Sequence, residues 1–236
     1  MRESSQRVTE PTTTPFFIPR GLVMLTAGWV FLSWIWLFGL TPPVQAQAAS
    51  YAPSIRLLFA SIGVGIGVAW PLLRLSGRAS SAPIAQCTCD ALAVTVILQV
   101  VIWPLRLVTN WTLTRTLVLD AAITLSIITI ASVLSLALAT QRERTRSWTM
   151  GALSIAALGP SLITLLTGLD APGAASAFSV PSLLALLAGS TPLDPPSAEL
   201  LVVKVALGIT VFWLICAGIS HFVRQSRRAH LAHSTD

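Results

Sequence analysis

Charge is what this chain has least of: Asp, Glu, Lys and Arg together make up 10% of its 236 residues, against about 25% in a soluble domain. That scarcity excludes an ordinary cytosolic enzyme. Lysine occurs once, at Lys204, and tyrosine once, at Tyr51. The three cysteines, Cys87, Cys89 and Cys216, imply no disulfide framework. Also missing are G-x-x-x-x-G-K-[ST], H-E-x-x-H and G-x-S-x-G, so the chain has no P-loop, no zincin helix and no nucleophile elbow of its own.

What it has instead is apolar sequence: 54% hydrophobic residues, a mean hydropathy of +0.76 and eight Trp. Such a chain is solvated by lipid. Apolar stretches approaching the ~20 residues that cover ~30 Å of hydrocarbon lie at Gly21–Leu40, Ile55–Leu73, Cys89–Leu105, Leu117–Thr140, Trp148–Leu169 and Leu200–Val223. None alternates with a period of two, and backbone groups in lipid need internal partners, so the expected fold is all-α with six transmembrane helices. The domain plan is a disordered cytoplasmic tail over 1–20, a transmembrane domain over 21–223 and a basic cytoplasmic tail over 224–236. No stretch is left for a soluble catalytic domain.

The net charge of +6 and pI near 10.6 read as membrane topology rather than nucleic-acid binding. Arg2, Arg7, Arg20, Arg74, Arg78, Arg142, Arg144, Arg146, Arg224, Arg227 and Arg228 fall on one side of this plan, while Arg56, Arg106 and Arg115 fall on the other. The Arg-rich side is the cytoplasmic one, which puts both termini inside the cell membrane's inner face. After the first apolar run, Val44–Ala48 carries an A-x-A pattern, so cleavage after Ala48 competes with retention of the first span. Residues 170–199 form the longest outside connection, and within it Pro181–Gly189 is apolar but too short to cross. It reads as a re-entrant or interfacial helix, with Pro181 in its first turn.

Polar residues inside the spans are the candidate sites. Span three places Thr95, Gln99, Trp103 and Arg106 near one face, and span four offers Asp120, Thr124 and Ser135, with Ser126, Thr129 and Ser132 around the helix. These groups either hydrogen-bond between helices or line a polar translocation path. Asp90 and Asp120 sit at opposite ends of their spans and cannot share a proton as a catalytic dyad. Lys204 snorkels to the interface or pairs with Asp120 or Glu199. Gly63 and Gly67 in span two form a small-residue face for helix packing. Cys87-Thr88-Cys89-Asp90 with Cys216 and His221 could gather a metal, but C-x-C alone is a weak spacing. Asn110-Trp111-Thr112 matches a glycosylation acceptor. No catalytic residue, cofactor, metal or nucleic-acid partner is expected.

Six short-looped helices, both ends inside, a short embedded helix between spans five and six, and an inside loop at Ser76–Ala85 resemble the layout of ABC-2-type transporter permeases, a group that includes the heme-exporter B subunits. Two features of that group are missing: an amphipathic helix before span one, and an acidic residue in Leu75–Gln86. The resemblance implies a permease subunit for a hydrophobic or amphiphilic cargo, with a separate ATPase chain as partner at Ser76–Ala85 and assembly into homo- or hetero-oligomers in the bilayer. The alternative expectation is a non-transporting scaffold or assembly subunit of a larger complex.

Overall fold

The computed structural model describes residues 20–35, 52–77, 82–140, 142–167, 179–188 and 197–233, and among them there are helices and no strands. The candidate signal-peptidase motif at 44–48, the tail over 1–19 and the loops 168–178 and 189–196 lie outside the described residues. The chain runs through α1 (Arg20–Trp34), α2 (Ala52–Val64), a π-helical turn (Gly65–Ala69), α3 (Trp70–Ser76), α4 (Pro83–Thr109), α5 (Leu113–Ala139), α6 (Glu143–Thr167), α7 (Val180–Ala188) and α8 (Ser197–His233).

Four stretches among the described residues are long and apolar enough to cross a membrane: Pro53–Ser76, Pro83–Arg106, Leu113–Ala139 and Glu199–Val223. The described part of α1 has 15 residues, about 22 Å of helix against ~30 Å of hydrocarbon. Pro104 and Pro160 both lie inside continuous helices, α4 and α6. Helix α8 continues unbroken past Val223 to His233.

The bundle is centred on α5, which packs against α4 on one side and α8 on the other. Leu119, Ile123, Ile127 and Leu134 of α5 are fully buried; their spacings of four, four and seven residues keep them on neighbouring faces of the helix. The short α7 is not peripheral. It lies against α2, α5 and α6, and Leu183 and Leu184 are sealed in the core with Leu58, Phe59 and Ile62 of α2. Outward-facing Met24, Phe31, Val96, Val100, Leu166 and Phe222 are strongly exposed, the reverse of a soluble protein's surface. Lipid supplies no hydrophobic drive between helices, so close packing and interhelical hydrogen bonds hold such a bundle together.

The α4–α5 turn shows how local sequence sets the topology. Asn110 adopts a left-handed conformation with φ of 56° and its N–H donates to the Arg106 carbonyl at 3.1 Å, closing α4. Asn tolerates that region better than other non-glycine residues. Thr112 then N-caps α5, its hydroxyl accepting from the Arg115 N–H at 3.3 Å. Between them Trp111 is buried against Phe59 of α2, with ring centroids 6.1 Å apart. The glycosylation-like triplet therefore has a structural use as a three-residue turn between antiparallel helices. Replacing Asn110 with Ala is expected to destabilise the bundle by about 1 kcal/mol while Gly at 110 leaves it within about 0.5 kcal/mol of the parent. Unfolding midpoints in detergent check this, and equal loss in both variants would contradict the conformational argument.

Candidate functional site

Among the described residues, three polar clusters and a cleft with hydroxyls along its walls are formed where the helices come together. At the Arg-rich end, Arg74 at the close of α3 makes a two-pronged ion pair with Asp90 of α4, its Nε and Nη2 donating to the two carboxylate oxygens. The Gln86 amide adds a third donor to Asp90 Oδ1 at 3.3 Å. Asp90 has no exposed surface, so the pairing offsets the loss of its hydration. Cys87 and Cys89 flank this cluster in sequence. No group of three or more His, Cys, Asp or Glu among the described residues is placed to hold a metal ion.

At the opposite end, the Arg115 guanidinium is 2% exposed. One Nη2 donates to the Leu187 carbonyl at 2.7 Å and to Glu199 Oε2 at 3.4 Å. Arg115 thus ties the start of α5, the last turn of α7 and the first turn of α8 into one knot. Counting basic residues by side treated it only as a topology marker. The signal available was depth: Arg115 and Glu199 both fall within a few residues of an expected outer boundary, on different helices.

The polar face of spans three and four forms a chain of hydrogen bonds. Trp103 Nε1 donates to Gln99 Oε1 at 2.6 Å, and Gln99 Nε2 donates to Asp120 Oδ1. Thr95 and Thr124 are half-buried on the same two helices. Of the two readings of Lys204, a snorkelling anchor or a partner of Asp120 or Glu199, the structure has the side chain exposed, with Asp120 bonded by Gln99 and Glu199 by Arg115. Helix α8 presents Lys204 outward because Val202, Ala206 and Thr210 occupy its inward stripe at i, i+4 and i+8.

Gly63 and Gly67 face the chain's own core. A Cβ on Gly63 falls 2.5 Å from Pro181 Cα, and one on Gly67 falls 3.3 Å from Ala157 Cβ. The first turn of α7 rests on this glycine face, which coincides with the π-helical turn Gly65–Ala69. Ser179, just before α7, donates from Oγ to the Ala157 carbonyl at 2.7 Å, fastening α7 to α6.

Below that contact lies a cleft of about 660 Å³ between α5, α6 and α8, within the ~300–1,000 Å³ typical of ligand pockets. Its walls are mostly apolar, with the hydroxyls of Ser126, Thr129, Thr140, Thr149 and Thr210 spaced along it. Thr129 and Thr210 share a 2.8 Å hydrogen bond across the floor. Trp148, Ala152 and Ala156 line the cleft and are also exposed, so it opens at the surface of the bundle. Val180 and Leu183 of α7 close its deep end. The sequence marks Ser126 and Thr129 as polar candidates but not the cleft they line, because it pairs the side of α5 away from Gln99 with α6, and α6 carries no distinctive polar pattern.

No protein-family model matches the chain, no curated protein matches it, and no solved structure matches it.

Proposed function

We propose that this chain is the permease-like subunit of a membrane transporter, holding a hydrophobic or amphiphilic cargo in the α5/α6/α8 cleft and energised by a separate ATPase chain. In this reading all six apolar stretches of the sequence cross the bilayer with both termini cytoplasmic. Helix α7 is re-entrant: its first turn lies at mid-depth beside Gly67 and Ala157, and its last turn lies at the outer edge beside Arg115. The observation that carries the proposal is the open, mostly apolar cleft whose deep end is stopped by α7. Passage to the far side then requires the Ser179–Ala157 contact to separate. Of the two readings of Thr95, Gln99, Asp120 and Thr124, a polar path or contacts between helices, the Gln99–Asp120 bond between α4 and α5 supports the second.

The scaffold reading draws on that same internal bonding, which is how a purely structural polar face behaves. The glycine face gives it no support, because Gly63 and Gly67 are covered by α7 and α6 of this chain. Isolation in mild detergent separates the two. A P-loop ATPase that co-purifies and crosslinks to a cysteine placed at Ser76 is the expected result. Recovery of other membrane subunits, with no ATPase, would establish the scaffold instead.

A further inference from the structure

The cleft has two unlike ends, and their chemistry narrows its occupant. The deep end, at Val180, Leu183, Ala157 and Ile130, is apolar. The mouth lies at the α5–α6 junction, where Thr140, Thr145, Thr149 and Trp148 line the wall. That junction carries Arg142, Arg144 and Arg146 against a single Glu143. Arg142 and Arg144 are exposed. Arg146 donates from Nη1 to the Gly77 carbonyl at 3.2 Å, while its Nε and Nη2 are buried with no hydrogen-bond partner among the described residues. Exposed guanidinium groups such as those of Arg142 and Arg144 are matched by a phosphate or carboxylate, which accepts several N–H groups at once. Trp148, 70% exposed at the mouth, suits the boundary between headgroups and acyl chains.

Resting on the cleft assigned above, we infer that its occupant is an anionic phospholipid taken from the leaflet at the Arg-rich end. The headgroup lies at the first turn of α6, met by the exposed Arg142 and Arg144. One acyl chain runs inward between Ala152 and Ala156 of α6 and Ile209 of α8 until it meets α7. A neutral lipid fits the same walls but leaves the guanidinium groups unmatched, so the selectivity resides in the mouth and the retention in the walls. Topology alone accounts for Arg residues at this end. It does not account for Arg142 and Arg144 being neighbours in the chain of Thr140, Thr145 and Trp148, which line the cleft.

The test counts lipids on the purified full-length protein by native mass spectrometry, after reconstitution with equal amounts of phosphatidylglycerol and phosphatidylcholine and return to detergent. One retained phosphatidylglycerol, favoured by at least about fivefold, is expected, since each Arg near an anionic headgroup contributes a preference of about that size. Arg142→Gln with Arg144→Gln should abolish the preference while still retaining lipid. Arg146→Gln is tested separately, because that residue also holds Gly77. Ala152→Trp, on an exposed position of α6 that the fold tolerates, should remove retention of either lipid with the unfolding midpoint unchanged. Equal retention of the two lipids, or a preference that survives the Arg substitutions, overturns the anionic occupant and leaves the cleft reading standing. Retention indifferent to Ala152→Trp, or no retained lipid at all, overturns the cleft reading itself.

Discussion

Arg115→Met is expected to destabilise the bundle by about 3–5 kcal/mol, the range for removing one member of a buried ion pair. The size follows from what is left behind. Glu199 loses the donor that offsets its burial, and the Leu187 carbonyl at the end of α7 loses its 2.7 Å partner. Both side chains are almost wholly covered, 2% and 8% exposed, so solvent screening does not reduce the effect as it does at a surface pair. Glu199→Gln should be milder, about 1–2 kcal/mol, because an amide oxygen still accepts from the guanidinium. The double substitution should lose less than the sum of the two. Reversible unfolding in mixed micelles measures all three, and hydrogen exchange over residues 180–188 should rise most in Arg115→Met. A loss under about 0.5 kcal/mol would show that α7 is held by packing alone.

Gly63 carries the second large effect. A Cβ there overlaps Pro181 Cα at 2.5 Å and its nitrogen at 2.8 Å, both backbone atoms that cannot rotate away. Gly63→Ala is therefore expected to cost about 1–3 kcal/mol as α7 is pushed off α2, and Gly63→Leu to prevent the native packing. Gly67→Ala should be intermediate, because its new methyl meets only the Ala157 side chain at 3.3 Å. Gly28→Ala, with nothing within 4 Å of its Cβ, should stabilise α1 slightly through helix propensity. The order 63, 67, 28 in thermal midpoints tests the geometry. A Gly63→Ala protein as stable as the parent would mean that α7 does not approach α2 so closely. Because α7 also closes the deep end of the cleft, the same variants should alter lipid retention in proportion to their instability.

The distribution of these effects separates local from tertiary information. Helical class was legible because it depends on two properties that act residue by residue: apolar runs about as long as the hydrocarbon is thick, and backbone groups that have no water to bond. The start of α7 at Val180–Pro181 was likewise legible from a Pro in the first turn before an apolar run. The glycine face was visible as a spacing, Gly63 to Gly67, since small residues four apart must share a helix face.

Which element fills that face was not visible. Any apolar helix could occupy it, and the choice of α7 depends on chain connectivity and on the Arg115 and Ser179 contacts at its two ends. The polar partners were undetermined for the same reason. Asp120 has Gln99 and Lys204 on different helices at similar depth, and only the rotation of α4 and α8 about their own axes brings one amide into reach and turns the ammonium outward. The cleft is further still from the sequence, because it is a gap left where α6 meets α5 and α8 incompletely. Composition and periodicity determined that this chain is a bundle of helices suited to lipid. Rotation, depth and the seat of α7, which arise from packing among all the helices at once, determined where the bundle is bonded and where it is open.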